Sequence, residues 1–284
     1  MSTAKKQIRI CISSNAGGSG KTTTTVHLAY GLARRGYKVV IIELDGSGSI
    51  ASFTGLNLNP TPEQSVALLL KKDFAGEYPL QNLWEAYTPG IQIIQGGGPI
   101  EHVIRYIPQH PRGFYFLKDR LDDYPIDADV VLIDTPASLE PMGVVALAAS
   151  THVLSPIKAE IKDVEGFANF IGWYYRQIGE LKLNPKPEIL GFIPTRIEYQ
   201  RATHRNLMGV DSKGQLRTDI AEPKTLPAVI QKFGIYCFPM VRDSNNYLNA
   251  TRERKPVGVY RPGSDAARDY EPIVERIVEI LKGA

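Results

Sequence analysis

A glycine-rich stretch near the start of the chain carries the residue types that bind phosphate. It runs from residue 13 to residue 25 and reads SSNAGGSGKTTTT. Glycines let backbone N–H groups close around a polyphosphate, Lys21 can reach its outer phosphates, and the Thr22 hydroxyl can ligate Mg²⁺. We therefore predict a phosphate-binding loop formed by these residues: Gly17, Gly18, Ser19, Gly20, Lys21, Thr22 and Thr23.

The segments around this loop predict where it lies in a fold. An apolar, β-rich run at 7–12 precedes the loop, and a helical pattern at 21–35 follows it. The runs at 37–44 and 129–133 are almost continuously apolar, which is typical of strands buried on both faces of a parallel sheet. Strands and helices alternate along the chain. The sequence therefore indicates an α/β fold with a doubly wound, mostly parallel sheet and helices on both faces.

Weaker patterns complete this prediction. They favour strands at 90–94, 152–154, 188–193 and 234–238, and helices at 64–72, 114–121, 142–149 and 163–181. Ser264 can cap a final helix that runs to Leu281. We expect a single domain over 1–284, with a flexible terminus at 1–6 and a loop-rich elaboration at about 60–118, where seven prolines fall.

Charged side chains follow several of the predicted strands. Asp45 follows the run at 37–44, Asp134 follows the run at 129–133, and Lys158 comes just after the run at 152–154. Since the carboxyl ends of parallel strands meet at one edge of a sheet, these groups should converge on the phosphate-binding loop. A carboxylate after four apolar residues, as at Asp134, is the type of group that holds Mg²⁺ beside a bound phosphate.

The loop resembles the deviant Walker A box, K-G-G-x-G-K-S/T, of the ParA/MinD family of P-loop ATPases. Gly17, Gly18, Gly20, Lys21 and Thr22 match that box, whereas the ordinary P-loop glycine is replaced by asparagine at position 15. The resemblance implies hydrolysis of ATP to ADP and phosphate with Mg²⁺, in a dimer that holds ATP between its subunits. It further implies that Asp134 holds Mg²⁺ and that Asp45 orients the attacking water near the metal.

The last third of the chain also resembles this family. The segment 238–244 matches the part that frames the adenine, which implies that Pro239 and Met240 contact the base and that a helix containing Ala250 follows. The stretches 255–257 and 260–267 match further family segments. The resemblance thus covers most of residues 7–282 and is weak across about 60–118.

One residue departs from the family box. Ala16 occupies the place of the first lysine, which in that family reaches across the dimer to the partner's ATP. Because hydrolysis develops negative charge at the transferring phosphate, a cation aimed there lowers the barrier. We expect Lys158 to replace the missing lysine, with Lys162 as the next candidate. Loss of the first lysine resembles carboxysome-positioning, McdA-type ATPases, while a plasmid-partition ParA with a substituted box is also possible.

Positive charge is concentrated late in the chain. The net charge is +3, but residues 196–261 hold twelve Lys and Arg against six Asp and Glu. Such groups bind the phosphate backbone of nucleic acids without reading the base sequence. An earlier cluster comprises Arg196, Arg201 and Arg205. For nonspecific double-stranded DNA we predict contacts from a later cluster: Arg242, Arg252, Arg254, Lys255 and Arg261.

These features favour an ATPase that dimerises on ATP, binds the nucleoid and positions a carboxysome or plasmid. A small ParB-like or McdB-like adaptor would stimulate hydrolysis. Because we find neither a signal peptide nor a membrane span, we expect a cytoplasmic, nucleoid-associated protein without a stable membrane anchor. Three alternatives stay open: a MinD-like membrane-associated ATPase, a metabolic P-loop kinase or ligase, and a nucleotide-locked binding protein with negligible turnover.

Overall fold

The computed structural model describes residues 7–71, 73–217 and 225–283. Within these ranges seven strands form one sheet, in the spatial order β3-β4-β2-β5-β1-β6-β7. The strands are β1 (Ile8–Ile12), β2 (Val39–Glu43), β3 (Gln81–Asn82), β4 (Ile91–Ile94), β5 (Val130–Asp134), β6 (His152–Lys158) and β7 (Glu188–Thr195). Every neighbouring pair is parallel except β3 and β4. The carboxyl ends of the six parallel strands therefore lie along one edge.

Eleven α-helices connect or flank these strands in the described part of the chain. The longer ones are α1 (Lys21–Ala33), α4 (Phe116–Asp123), α5 (Met142–Ala149), α6 (Ile161–Leu181), α9 (Asn245–Arg252) and α11 (Glu271–Lys282). The shorter ones are α2 (Ser49–Thr54), α3 (Pro99–Ile104), α7 (Ala202–Met208), α8 (Leu226–Lys232) and α10 (Val257–Tyr260). None of the helices in these ranges is both long enough and apolar enough to cross a membrane.

The sheet divides the apolar core into two layers because successive side chains of a strand point to opposite faces. Ile41 of β2 packs in one layer with residues of α1 and α11. Its neighbour Ile42 packs in the other layer with residues of α5 and α6. All five residues of β2, and likewise of β5, are buried. The apolar runs at 37–44 and 129–133 thus form central strands, and the predicted doubly wound fold is confirmed.

Most predicted elements are present with shifted ends. The helix at 142–149 has the predicted bounds, and the final segment divides into a 3₁₀ turn at Asp265–Ala267, capped by Ser264, followed by α11. The strand predicted at 152–154 continues to Lys158, because β6 keeps pairing with β7 as far as Thr195. Lys158 is therefore the last residue of a strand.

The helix predicted at 64–72 is wrong for residues 64–71, and residue 72 lies outside the described ranges. A 3₁₀ helix at Pro62–Gln64 leads into a series of tight turns. The Val66 N–H donates to Gln95 O at 2.7 Å, and Leu69 N–H donates to Val66 O at 3.1 Å. A long-range backbone bond and three-residue turns therefore take the donors that an α-helix would need.

The strand predicted at 234–238 is also wrong. This segment lies beside β7 but forms one isolated bridge, between Phe192 and Cys237, and a second bridge, between Ile197 and Arg242, follows beyond it. Phe192 exchanges two backbone hydrogen bonds with Tyr236 and Phe238. Two residues later on the same side, Pro194 has no N–H to donate, and its carbonyl accepts from the Val241 N–H at 2.8 Å. The pairing is therefore irregular, and no continuous strand forms beside β7.

Candidate nucleotide-binding site

The loop between β1 and α1 has the backbone that its glycines predict. Gly18 and Gly20 have φ angles of 65° and 89°, a region in which other residues are strained. Lys21, the first residue of α1, folds back over the loop and donates to Ala16 O at 3.1 Å and Ser14 Oγ at 3.4 Å. Burial lowers the pKa of this ammonium group. The loop thus encloses a poorly solvated cation, which an anionic ligand would stabilise.

Asp134 ends β5 directly beside this loop and is fully buried. Its carboxylate accepts hydrogen bonds from the hydroxyls of Thr22 and Thr25, each at 2.9 Å. Burial nevertheless raises the pKa of Asp134 to about 7. A cation placed here would favour the ionised carboxylate, as Mg²⁺ beside a phosphate does.

The end of β2 supplies two carboxylates with different surroundings. Glu43 is buried and accepts from the backbone N–H groups of Ile50 at 2.9 Å and Gly96 at 3.0 Å. Burial raises the pKa of Glu43 to about 7. Asp45 accepts from the Ser47 N–H at 2.9 Å and faces the cavity described next. Glu43 therefore fixes the start of the short helix α2, whereas Asp45 is available to a ligand.

A cavity of about 410 Å³ opens over the loop, within the usual size range of small-molecule sites. Its lining includes six residues of the loop and the first turn of α1: Gly18, Ser19, Gly20, Lys21, Thr22 and Thr23. Other parts of the fold contribute Asp45, Ser49, Phe53, Ala137, Thr195, Arg196, Val241, Arg242, Asp243, Tyr247 and Tyr270. The loop, two strand ends and the C-terminal segment therefore converge on one site.

Three residues that we predict to contact the nucleotide lie beside the cavity lining and are not part of it: Gly17, Pro239 and Met240. A Cβ atom on Gly17 would lie 3.8 Å from Ala137, on the segment that follows β5. Pro239 and Met240 directly precede Val241, the first cavity residue of the C-terminal segment. Base contacts by these two residues remain a prediction.

The donor set fits Mg²⁺ held together with phosphate. In the described residues no cluster of three or more His, Cys, Asp or Glu could hold a metal ion alone. Mg²⁺ usually takes one or two carboxylates together with substrate phosphates and water. Thr22, Asp134 and Asp45 supply one hydroxyl and two carboxylates at the same edge of the sheet. These residues could hold the ion once a polyphosphate completes its ligands.

Lys158 lies against the phosphate-binding loop of its own chain. Its Nζ atom is 3.4 Å from the position that a Cβ atom would take on Gly18. The charge of Lys158 also contributes, after burial, to lowering the pKa of Lys21. The Lys162 side chain lies outside the described part of the structure, so its role stays a prediction.

The basic residues predicted to bind DNA have different environments. Arg242 donates to Asp269 at 2.9 Å and to Asp265 at 2.9 Å, and it lines the cavity. Arg252, Arg254 and Arg261 are exposed, and Lys255 is half-buried. These four residues lie at the end of α9 and around α10. Arg242 is thus engaged by two carboxylates, whereas the other four remain near solvent.

Sequence patterns missed several residues of this site. Thr25 holds the second oxygen of Asp134, and the Thr195 hydroxyl donates to Ser19 O at 2.7 Å. Tyr247 and Tyr270 line the cavity from the C-terminal part of the chain. Only the position of Thr195 near a strand end signalled its proximity to the loop. The other contacts depend on how distant segments pack.

Known proteins match most of the chain. The sequence model of a family described as "AAA domain" matches residues 7–188, more than half of the chain. Chromosome partitioning protein ParA of Caulobacter vibrioides is 31% identical over 196 residues, covering 68% of this chain and 71% of the relative. Chromosome-partitioning ATPase Soj of Thermus thermophilus is 28% identical over 278 residues, covering 97% of both chains.

Solved structures share the fold. A McdA–ATP complex from Cyanothece has a TM-score of 0.77 at 20% identity, and the match covers 96% of both chains. Fold, loop geometry and sequence relatives therefore agree. The chain belongs to the ParA/MinD family of P-loop ATPases.

Proposed function

We propose that this ATPase is a ParA-type positioning protein that dimerises on ATP, binds nonspecific DNA and moves a cargo. The observation that carries the proposal is the site itself. Lys21, the Thr22–Asp134 pair and Asp45 converge on one cavity in a chain whose relatives are chromosome-partitioning proteins. The cargo would be a carboxysome or a plasmid. A ParB-like or McdB-like adaptor would stimulate hydrolysis and release the dimer from the nucleoid. The protein would then be cytoplasmic and associated with the nucleoid only in its ATP-bound form.

The side chains of the cavity suggest a division of roles. Lys21 would neutralise the outer phosphates, and backbone N–H groups of the loop would hold them. Thr22 and Asp134 would hold Mg²⁺, which supplies charge stabilisation at the transferring phosphate. Asp45 would orient the attacking water, because its carboxylate faces the cavity while Glu43 is occupied by backbone N–H groups. We further propose that 1–284 form a single domain around this site.

The replacement of the first lysine of the family box by Ala16 supports a role for Lys158. Its Nζ atom approaches Gly18 within the same chain, near the loop that would hold the phosphates. We expect Lys158→Ala to lower the hydrolysis rate on the order of a hundredfold, the usual cost of losing one charge-stabilising group, while ATP still binds. Single-turnover hydrolysis and nucleotide titration would measure the two effects separately.

Lys38→Ala is the matched control for this variant. Lys38 is an exposed lysine at the amino end of β2, where it pairs with Asp127 at 2.5 Å. This control should hydrolyse ATP like the wild-type protein. A Lys158→Ala protein that dimerised on ATP and hydrolysed it at the normal rate would contradict the assignment. Negligible turnover in the wild-type protein would instead favour the nucleotide-locked alternative.

The proposed DNA surface consists of Arg252, Arg254, Lys255 and Arg261. Three of these side chains are exposed and the fourth is half-buried, so they can reach a phosphate backbone. Arg242 belongs to the predicted cluster, but its pairing with Asp269 and Asp265 leaves it a weaker contributor. Binding through such a surface should be independent of base sequence and strongly dependent on salt.

The test is binding to nonspecific duplex DNA with ATP, ADP or no nucleotide, at two salt concentrations. We expect binding only with ATP, weakened by added salt. Arg252→Ala and Arg261→Ala should each weaken it and reduce the salt slope by about 1. Arg276→Ala, an exposed arginine of α11 paired with Glu279, is the control.

Absence of DNA binding in every nucleotide state would contradict the proposed positioning mechanism. ATP-dependent flotation with liposomes would then favour the MinD-like alternative. Turnover that requires a small-molecule acceptor would favour a metabolic kinase or ligase.

A further inference from the structure

Arg196, directly after β7, has an unusual backbone conformation for its residue type. Its φ angle is 57°, in the left-handed region where a side chain with a Cβ atom costs about 1–2 kcal/mol relative to the right-handed region. Such strain persists only where the surrounding structure imposes it, and it is often found at ligand sites.

The residues on either side of Arg196 are fixed by the fold. The Thr195 hydroxyl donates to Ser19 O at 2.7 Å and lies 3.2 Å from Ile157 O, which ties β7 to the phosphate-binding loop. Ile197 is buried, and its N–H donates to Val241 O at 3.1 Å while its carbonyl accepts from Asp243 N at 2.9 Å. Arg196 is therefore held between two anchored neighbours, and its backbone direction is set by them.

This conformation places the Arg196 guanidinium at the cavity. The side chain lines the cavity, and its Nη1 atom is 3.8 Å from the position that a Cβ atom would take on Gly18. The Nζ atom of Lys158 lies 3.4 Å from the same position. Two cations of one chain thus approach the same glycine of the phosphate-binding loop.

The existing partner of Arg196 holds it weakly. Its Nη2 atom is 3.8 Å from Asp243 Oδ2, which is beyond hydrogen-bond distance, and both side chains are partly exposed. Such pairs contribute about 0–1 kcal/mol. The other arginine of the cavity, Arg242, is held at 2.9 Å by both Asp269 and Asp265. Arg196 is therefore the arginine of this cavity with charge available to a new anion.

We propose that Arg196 is a phosphate-binding residue that exchanges Asp243 for the polyphosphate of the nucleotide bound in its own chain. A guanidinium presents several N–H donors in one plane, which suits phosphate oxygens better than it suits one carboxylate at 3.8 Å. The backbone strain is the cost of directing this side chain over the loop. The inference rests on the nucleotide site and does not depend on DNA binding or cargo.

Arg196→Gly gives the sharpest test, because glycine tolerates the left-handed conformation and removes only the side chain. Calorimetric titration with ATP, ADP and AMP, each with Mg²⁺, would follow affinity, and denaturant unfolding would follow stability. We expect ATP affinity to fall about tenfold or more, the range for losing a charge-assisted hydrogen bond. AMP affinity should fall less, and stability should be equal to or greater than that of the wild-type protein.

Two further variants sharpen the result. Asp243→Asn removes the competing carboxylate, so its ATP affinity should equal or exceed that of the wild-type protein. Arg201→Ala is the control: it removes an exposed arginine that pairs with Glu198 at 2.9 Å, and it should leave the affinities for ATP, ADP and AMP unchanged.

Unchanged ATP affinity in Arg196→Gly would overturn the proposal. An equal loss of affinity for ATP and AMP would also overturn it, since that pattern means a contact other than the outer phosphates. Failure of the wild-type protein to bind ATP would refute the nucleotide site as a whole, whereas loss of DNA binding alone leaves this result unaffected.

Discussion

At the scale of single residues, the site combines two charged groups that burial disfavours. Burial lowers the pKa of Lys21 and raises the pKa of Asp134 to about 7, so each group favours its neutral form more than it would in water. The two groups are linked through Thr22, which follows Lys21 in the chain and donates a hydrogen bond to Asp134 at 2.9 Å. A polyphosphate beside Lys21 and a Mg²⁺ ion beside Asp134 would reverse both penalties together. Binding of the two ligands should therefore be mutually dependent.

Because His27 of α1 is buried in its neutral form, we expect the protein to lose stability in acid. His27 is buried, its Nδ1–H donates to Thr23 O at 2.7 Å, and its Nε2 accepts from Val257 N–H at 3.4 Å. Both ring nitrogens are therefore used by the neutral form. Burial lowers the pKa of His27 to about 4. Between pH 6.5 and 4 the unfolded chain binds the extra proton and the folded protein does not, so stability falls as pH falls through this window.

The expected loss is about 3 kcal/mol across that window, as an order of magnitude. Denaturant unfolding at a series of pH values would measure it. His27→Gln should flatten this part of the profile, even though it lowers stability at pH 7. His102→Gln, at an exposed position of α3, is the control and should leave the profile unchanged. An equally steep profile in His27→Gln would assign the acid sensitivity to other groups.

At the scale of elements, helix α2 connects the nucleotide cavity to the basic segment after α9. It contributes Ser49, from its first turn, and Phe53, from its second, to the cavity. Its end is formed by Gly55, with φ 79°, which packs against the stem of Arg254. The carbonyl of Arg254 in turn accepts from the Trp84 indole at 2.8 Å. Helix α2 therefore lines the cavity with its own residues and contacts Arg254 of the proposed DNA surface at its end.

Replacing Gly55 should show how tightly this contact is packed. A Cβ atom at Gly55 would lie 2.7 Å from Arg254 Cδ, whereas one at Gly36, with φ 84°, would meet nothing within 4 Å. Gly36→Ala should cost about 1 kcal/mol for backbone strain alone. Gly55→Ala should cost about 2–3 kcal/mol, because overpacking adds to the same strain. Denaturant unfolding would compare the two variants.

The double variant Gly55→Ala with Arg254→Ala separates the two contributions. The double variant should lose unfolding free energy, and this loss minus the loss in Arg254→Ala alone should approach the loss in Gly36→Ala. Equal losses in the two single glycine variants would show that Arg254 moves aside freely and that the contact transmits little.

The sequence predicted those elements whose hydrophobic pattern and boundary residues both lie within the element itself. The apolar runs of β2 and β5 need no distant partner to be recognised, and glycines with a following Lys-Thr mark the loop before α1. Thr25 and Arg196 could not be recognised in this way. Their roles depend on β5 and on the segment 241–243 packing against residues more than 40 positions away. The missing strand at 234–238 has the same origin, because Pro194 on the neighbouring strand β7 has no N–H to donate to this segment.

At the scale of the whole molecule, the cavity joins parts of the chain that are far apart in sequence. Its lining extends from Gly18 to Tyr270 and includes the ends of β2 and β7 as well as α9. Tyr270 also packs with Val274 and Ile277 of α11 in the core layer beside α1. A ligand that fills this cavity would contact segments from both the first and the last thirds of the chain, and unfolding of either segment should release it.

Mg²⁺–ATP should consequently stabilise the entire fold. A ligand that binds only the folded protein adds about 2.7 kcal/mol at a concentration one hundred times its Kd. For a protein of 284 residues each kcal/mol raises Tm by about 2 °C, so we expect a rise of about 5 °C in a thermal unfolding scan. ATP without Mg²⁺ should give a smaller rise, because Asp134 then lacks its cation. Lys21→Ala should lose most of the shift, and Lys38→Ala should keep it. A full shift in Lys21→Ala would mean that the ligand binds elsewhere, since the buried ammonium group of Lys21 is the cation enclosed by the phosphate-binding loop.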